Sequence, residues 1–206
     1  MHEANRKFWK MCEVKYEKYF HGPNAIVECG SHNVNGVVRE HFKDFVEYIG
    51  VDWRAGECVD HVSLIHDLPW KERFDTLISS SLLEHDPYWV ETVVKMVELI
   101  KSSGGMFLSW GGMLNVIHCE EHACDGLFHP LSPQKVSIVL ERLGVYIHEF
   151  GYETNFGGGP GEVYLVAFKN KEFALGDRSV EEFLPEDKLD LTEDEENRFR
   201  ALNTQK

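Results

Sequence analysis

Asn24-Ala-Ile-Val-Glu-Cys-Gly-Ser-His-Asn-Val-Asn-Gly36 is the stretch that decides the fold. Ala25, Ile26 and Val27 form an apolar run too short for a helix, with Glu28 and Gly30 close behind, which reads as a buried strand ending in an acid. Beyond the turn, Val37, Val38, Phe42 and Phe45 recur at helical spacing, so the turn is expected to join the strand to a helix over about 35–46. A doubly wound α/β sheet places its ligand at such a turn, against free backbone N–H groups at the helix N-terminus. A second apolar run, Tyr48-Ile-Gly-Val-Asp52, also ends in an acid. A carboxylate at that strand end is placed to accept hydrogen bonds from the ribose hydroxyls of a nucleoside.

Composition narrows the class. At 206 residues and 43 % hydrophobic, the chain suits one soluble domain with a full core. No apolar run approaches the roughly 20 residues of a membrane span, and the first residues (His2, Glu3, Arg6, Lys7, Lys10) carry no apolar signal core. A net charge of −14 argues against nucleic acid as the main partner, because phosphates demand clustered Lys and Arg. Five cysteines, odd in number and mostly scattered, fit the reduced thiols of a cytoplasmic protein better than a disulfide framework.

Outward from the opening motif, the pattern alternates. Phe8, Trp9, Cys12, Tyr16, Tyr19 and Phe20 punctuate a charged segment over 3–20, read as one amphipathic helix lying over the sheet edge or the site. Strands are expected at 25–29, 48–52, near 60–64, at 74–80 and at 106–110. Asp86 is expected to cap a helix with Pro87 in its first turn, Ser103-Gly-Gly105 stopping it. Residues 111–131 read as a long irregular segment of the kind that forms lids. Ser132-Pro133 opens another helix, Gly144 closes it, and two strands at 145–150 and 162–168 flank a glycine-rich loop. The acidic end, 171–206, reads as a solvated extension with one helix from Thr192, where Glu195 completes a capping box. The domain proper is therefore expected over 1–170, with 1–23 as its N-terminal helical cover.

Val-Glu-Cys-Gly-Ser (27–31), Gly-Val-Asp-Trp (50–53), Asp-Leu-Pro-Trp (67–70), Phe-Asp-Thr-Leu-Ile-Ser-Ser-Ser-Leu-Leu-Glu-His (74–85) and Leu-Ile-Lys-Ser-Ser-Gly-Gly-Met-Phe-Leu (99–108) stand in order along the chain. Any one is weak; five at this spacing resemble the class I S-adenosylmethionine-dependent methyltransferases, and Leu-Leu-Glu-His is the most specific of them. The resemblance implies a Rossmann-like, doubly wound, mostly parallel seven-stranded sheet with an antiparallel edge strand. It implies S-adenosylmethionine as methyl donor and S-adenosylhomocysteine as product. On that resemblance Glu28, Gly30, Ser31 and His32 frame the methionine end, Asp52 holds the ribose, Trp53 flanks the adenine, Leu64 and Ile65 border it, and Ser80, Ser81 and Leu82 line the site. His32 stands where the family usually has a second glycine, and Leu64 where many members carry an acid, so adenine would be read by backbone groups or by Asp67.

The reaction implied is methyl transfer to an oxygen or nitrogen of a small-molecule acceptor, an in-line displacement that needs alignment and a base for a hydroxyl acceptor. His85, His122 and His129 are the candidate bases. His118-Cys-Glu-Glu-His122-Ala-Cys124 lacks the paired spacing of structural zinc, so acceptor contact is the preferred reading and no metal is expected. Taken singly, Glu28 is a loop-organising acid, Asp52 a cap, Trp53 and Trp70 rim aromatics; the joint order of motifs is what favours a cofactor site. Two rivals stand beside it. A nicotinamide-dependent oxidoreductase would need glycine at 32 and 35, where the chain has His32 and Asn35. A non-catalytic binding or scaffold protein of the same fold would keep the sheet without the turnover.

Overall fold

A computed structural model describes residues 3–34, 36–113, 129–153 and 161–204. Eight strands form one sheet in the order β3-β2-β1-β4-β5-β7-β6-β8. They are β1 (Ala25–Cys29), β2 (Glu47–Asp52), β3 (His61–Val62), β4 (Phe74–Ser80), β5 (Ile100–Gly111), β6 (Tyr146–Glu153), β7 (Glu162–Phe168) and β8 (Ser179–Val180). All pairings are parallel except those of β7, which runs antiparallel to both β5 and β6. The strand count thus exceeds the expected seven by the short β8, and the antiparallel strand lies inside the sheet rather than at its edge.

Alternation along each strand loads both faces. Val27, Leu77, Met106, Leu108 and Leu165 point to one face, against Val90, Val93, Val94 and Val97 of α3 (Trp89–Leu99) and Val136, Val139 and Leu140 of α4 (Pro133–Arg142). Ile26, Ile78, Phe107, Val166 and Phe168 point to the other, against Phe8, Trp9 and Cys12 of α1 (Glu3–Lys15), Tyr19 and Phe20 of α2 (Glu17–Phe20) and Tyr16 between them, where the single helix expected over 3–20 breaks in two. The N-terminal cover is therefore core, not rim. Tyr16 meets Phe107 edge-on at 5.3 Å, Phe20 meets Phe107 at 5.0 Å, and Tyr19 lies 5.4 Å from Phe168.

That packing overturns the expected helix at 35–46. The described part of the segment holds only a 3-10 turn, Arg39–His41. Phe42 stacks on Phe20 at 4.4 Å, and the backbone partners are the N-terminal segment: Lys43 N–H donates to the Phe20 carbonyl, and Gly22 N–H to the Lys43 carbonyl. Asp44 sits at φ 57, which a helix does not tolerate. The apolar spacing was real: Val38 and Phe42 are buried against the N-terminal segment, but they are presented by a 3-10 turn and extended chain instead of a helix.

Two boundaries also move. α3 begins at Trp89 rather than beside Asp86, whose side chain instead accepts from Tyr88 N–H at 2.7 Å and from the Thr92 hydroxyl at 2.5 Å, organising the turn ahead of the helix. β5 begins at Ile100, not Met106: its register slips between Phe74/Ile100 and Thr76/Gly105, and a Cβ on Gly104 would lie 2.9 Å from Ile100 Cβ.

The acidic end is packed rather than solvated. β8 pairs with β6, and α5 (Glu193–Asn203) lies on α3 with Phe199 buried. Thr192 and Glu195 form the expected capping box. Glu195 also takes Lys135 of α4 at 2.7 Å and Trp89 Nε1 at 3.3 Å, and Arg198 holds Glu91 of α3. Phe199→Ala should therefore cost about 3 kcal/mol in urea unfolding; an unchanged unfolding midpoint would mean that the segment is the loose tail its charge suggests.

Candidate active site

The carboxyl ends of β1, β2 and β4 converge on one edge of the sheet. β1 and β2 are in register, Glu28 opposite Gly50 and Cys29 opposite Val51, so the two acid-bearing strand ends are neighbours. Gly30 leaves β1 at φ 81, and a Cβ there would lie 2.9 Å from Leu82 Cβ. Only glycine lets the turn after β1 close against the turn after β4. The amides of Gly30 and Ser31 both donate to the Val51 carbonyl, at 2.8 and 3.1 Å. With no helix following, the expected helix N-terminus is absent, and these two N–H groups tie β1 to β2.

Glu28 is 4 % exposed and faces the N-terminal helical side, where the Tyr48 hydroxyl donates to it at 2.7 Å. Burial pushes its carboxyl up to about 7, against the pull of the Tyr48 hydroxyl and Arg39; Asp60 adds to the rise. Asp52 is buried at the end of β2. Its Oδ1 accepts from Arg54 N–H at 3.1 Å and its Oδ2 from His32 N–H at 3.4 Å, so the carboxylate organises its own turn and joins it to the turn after β1. The His32 ring packs on Gly56, where a Cβ would come within 2.5 Å of it. The side chain thus lies against the 53–58 turn.

Trp53 and Leu64 follow the paired Asp52–Val62 position of β2 and β3 and are 49 % and 42 % exposed, an apolar border open to a planar ligand; Ile65 behind them is buried. Asp67 is exposed at the end of the 3-10 turn Ile65–Asp67. Ser80 and Ser81 end β4: the Ser80 and Ser109 hydroxyls are 3.4 Å apart, and Ser81, at φ 53, donates its N–H to the Ser109 carbonyl. The residues named for the cofactor lie at the carboxyl ends of β1, β2 and β4 or in the segments that follow β1 to β4; Trp53 and Leu64 are exposed, whereas Glu28, Ser31, Asp52 and Ile65 are buried.

On the neighbouring part of the edge, Glu84 is fully buried. Its Oε1 accepts from Gly111 N–H at 3.0 Å and its carbonyl from His129 N–H at 2.8 Å. Glu84 therefore ties the end of β5 and the segment holding His129 to the turn after β4. His85 and His129 consequently share one corner. Burial lowers the His129 imidazole from its ordinary value, Asp86 opposes that, and His85 adds repulsion. His122 and the His118–Cys124 cluster lie outside the described residues. Among the described residues no group of three or more His, Cys, Asp or Glu is placed to hold a metal.

Sequence reasoning missed Glu162. It stands at the start of β7, opposite Gly111, buried, with burial and then the Glu84 charge holding its carboxyl up to about 8. The only available signal was its position at the head of a strand whose antiparallel course brings that end to the site edge.

No protein-family model matches the sequence, and no curated protein matches it. Solved structures do. The Burkholderia thailandensis 1,6-didemethyltoxoflavin-N1-methyltransferase, determined with S-adenosylhomocysteine, superposes with a TM-score of 0.59 at 14 % identity over 80 % of this chain and 77 % of that one. Geranyl diphosphate C-methyltransferase from Streptomyces coelicolor A3(2) gives 0.59 at 11 % identity, covering 82 % of each chain. An S-adenosylmethionine-dependent methyltransferase from Archaeoglobus fulgidus gives 0.53 at 18 %, covering 79 % of this chain and 93 % of that one. The chain has the class I methyltransferase fold, with a packed C-terminal extension and without the helix expected after β1. No helix among the described residues is long and apolar enough to cross a membrane.

The buried acid makes a testable statement. Glu28 binds its proton more tightly folded, at about 7, than in its ordinary state at 4.5. Its contribution to stability is complete below pH 4.5 and is lost as pH rises through 7. Glu28→Gln stays neutral and still accepts from Tyr48. Its urea midpoint should fall less than the parent's between about pH 5 and pH 8; parallel curves would show that the carboxyl is not held in its protonated form.

Proposed function

We propose that the protein is an S-adenosylmethionine-dependent methyltransferase acting on an oxygen or nitrogen of a small-molecule acceptor. The observation that carries this is the pair of adjacent parallel strand ends, β1 with Glu28 and Gly30 and β2 with Asp52, on a sheet shared with structures that bind S-adenosylhomocysteine. The residues present fit that ligand. The Ser31 hydroxyl is buried without a partner beside the turn, Asp52 carries the only carboxylate at the end of β2, and Trp53 and Leu64 offer an apolar border for adenine.

When bound, the donor supplies an electrophilic methyl group with a neutral thioether as leaving group. The chain's own residues have three tasks: Asp52 and Ser31 hold polar groups of the donor, Leu82 and the turn after β4 wall off water, and the corner of His85 and His129 handles the acceptor proton. An imidazole held below its ordinary value is neutral at pH 7 and free to take a proton. Cytoplasmic residence completes the reading, with the extension over 171–206 packed on the single methyltransferase-like domain.

One observation favours the non-catalytic rival: the Gly30 and Ser31 amides are already bonded to Val51, which leaves fewer donors for the methionine carboxylate. Donor binding without turnover on any of a broad acceptor panel would select that rival.

Asp52→Ala should weaken S-adenosylmethionine binding about tenfold to a hundredfold, the worth of a hydrogen bond to a charged group, with the unfolding midpoint little changed. Calorimetry that finds parent-like affinity would reduce Asp52 to a turn-organising acid. With a hydroxylated acceptor and labelled methyl donor, His129→Ala should lose about 10²–10⁴-fold in turnover while keeping donor affinity. The parent's rate should fall as pH drops through the imidazole's lowered value, and the variant should lack that limb. If His85→Ala shows this behaviour instead, the proton belongs to His85.

A further inference from the structure

We propose a second binding site, for the phosphate group of an anionic ligand, in a cleft at the end of the sheet opposite the cofactor edge. The cleft has a volume of about 410 Å³ and lies where β6 starts and β7 ends, beside the C-terminal end of α4. Tyr146 is its aromatic wall, and Lys169, Lys171 and Arg178 supply its cations; Glu141, exposed, is the acid among its lining residues.

The charge pattern is what singles it out. The chain carries 35 acids against 21 Lys and Arg, so a base on this surface has acids to choose from, and most find one. Lys169 follows that rule, reaching Glu72 at 3.2 Å and the Ile100 carbonyl at 2.9 Å. Lys171 and Arg178 do not: neither has a carboxylate within ion-pair distance among the described residues. Both stand over the same ring, the Lys171 ammonium 5.4 Å and the Arg178 guanidinium carbon 5.8 Å from the Tyr146 centroid. Neither cation is neutralised by a carboxylate of the described residues, so both are available to a dianion in the cleft.

Orientation is partly built. Arg178 donates Nε–H to the Ile147 carbonyl at 3.1 Å, which fixes the guanidinium plane and leaves its terminal nitrogens for a ligand. The Asn170 side chain bonds to the Ser102 carbonyl at 2.7 Å and holds the turn between Lys169 and Lys171. A planar guanidinium fork beside ammonium groups matches tetrahedral phosphate better than a single carboxylate. Arg178 comes from the C-terminal extension just ahead of β8, so the docking of that extension is what completes the cleft. The site does not depend on the methyltransferase reading, since none of its residues lies on the cofactor edge.

The test is amide NMR of the full chain at physiological salt, titrated with inorganic phosphate and with phenyl phosphate. Saturable shifts confined to residues 144–147, 169–171 and 178, with roughly millimolar affinity, are expected. Lys171→Ala and Arg178→Ala should each weaken binding about tenfold while leaving the unfolding midpoint and S-adenosylmethionine binding as they are. Arg178→Lys should recover less than the parent affinity. Tighter binding of phenyl phosphate would assign an organic phosphate monoester, and equal binding free phosphate. Shifts that do not saturate, or that persist in the double variant, would overturn the site and leave only non-specific screening of surface charge.

Discussion

The aromatic side chains of residues 8–20 form the N-terminal layer packed on Phe107, Tyr164 and Phe168 of β5 and β7, and much else follows from that. Phe20 and Tyr16 meet Phe107 of β5, and the segment after β1 packs against this N-terminal layer. Val38 and Phe42 are kept as buried contacts of this layer without the expected helix to present them. Phe42 reaches Phe20 from an extended segment, and the parallel bridge between His21 and Lys43 satisfies the backbone. Glu13 locks the arrangement from α1: it receives His41 at 3.0 Å, His21 at 3.4 Å and Lys10 at 3.0 Å, and the His41 and Lys10 hydrogen bonds hold its carboxyl down at about 2.

The altered course of the chain after β1 reaches the site. In the expected arrangement a helix N-terminus would point unpaired N–H groups at an anionic part of the ligand. Here the same amides are turned onto β2, and the charged features that remain are carboxylates at the ends of β1 and β2. Glu28 is sealed beneath Tyr48 on the N-terminal side, whereas Asp52 has its oxygens in contact with two turns. The two acids look alike in the sequence and both are buried, yet one is a group whose charged form is disfavoured and the other joins two turns through its oxygens.

What was legible in the sequence follows physical range. Strands that are apolar on both faces and bounded by turn residues announce themselves locally, and β1, β2, β4 and β7 stand within a residue or so of where the pattern puts them. The glycine at 144 and the Thr192–Glu195 box are equally local. The helix at 35–46 failed because helical spacing records which residues are buried, not which element buries them; the deciding partner, Phe20, stands more than twenty residues away in Phe42's case. The acidic extension misled for a related reason. Its charge is high, but Glu195 and Arg198 each meet an opposite charge on α3 or α4, and no local pattern reveals a partner sixty or a hundred residues distant. Glu162 was invisible because its environment is made by Glu84, on another strand's turn.

The extension also braces the corner that carries the two histidines. α3 leaves the turn that carries Glu84 and His85, and α4 leaves the segment that carries His129. Glu195 contacts both helices, through Trp89 at the start of α3 and Lys135 near the start of α4, and the Ser132 hydroxyl donates to the Asp187 carbonyl just ahead of the first α4 residue. The corner holding the two histidines is thus clamped from outside by residues 187–195 and from inside by the buried carboxylate of Glu84. A clamp on both supports of that corner gives the acidic extension a role that its composition alone would never suggest.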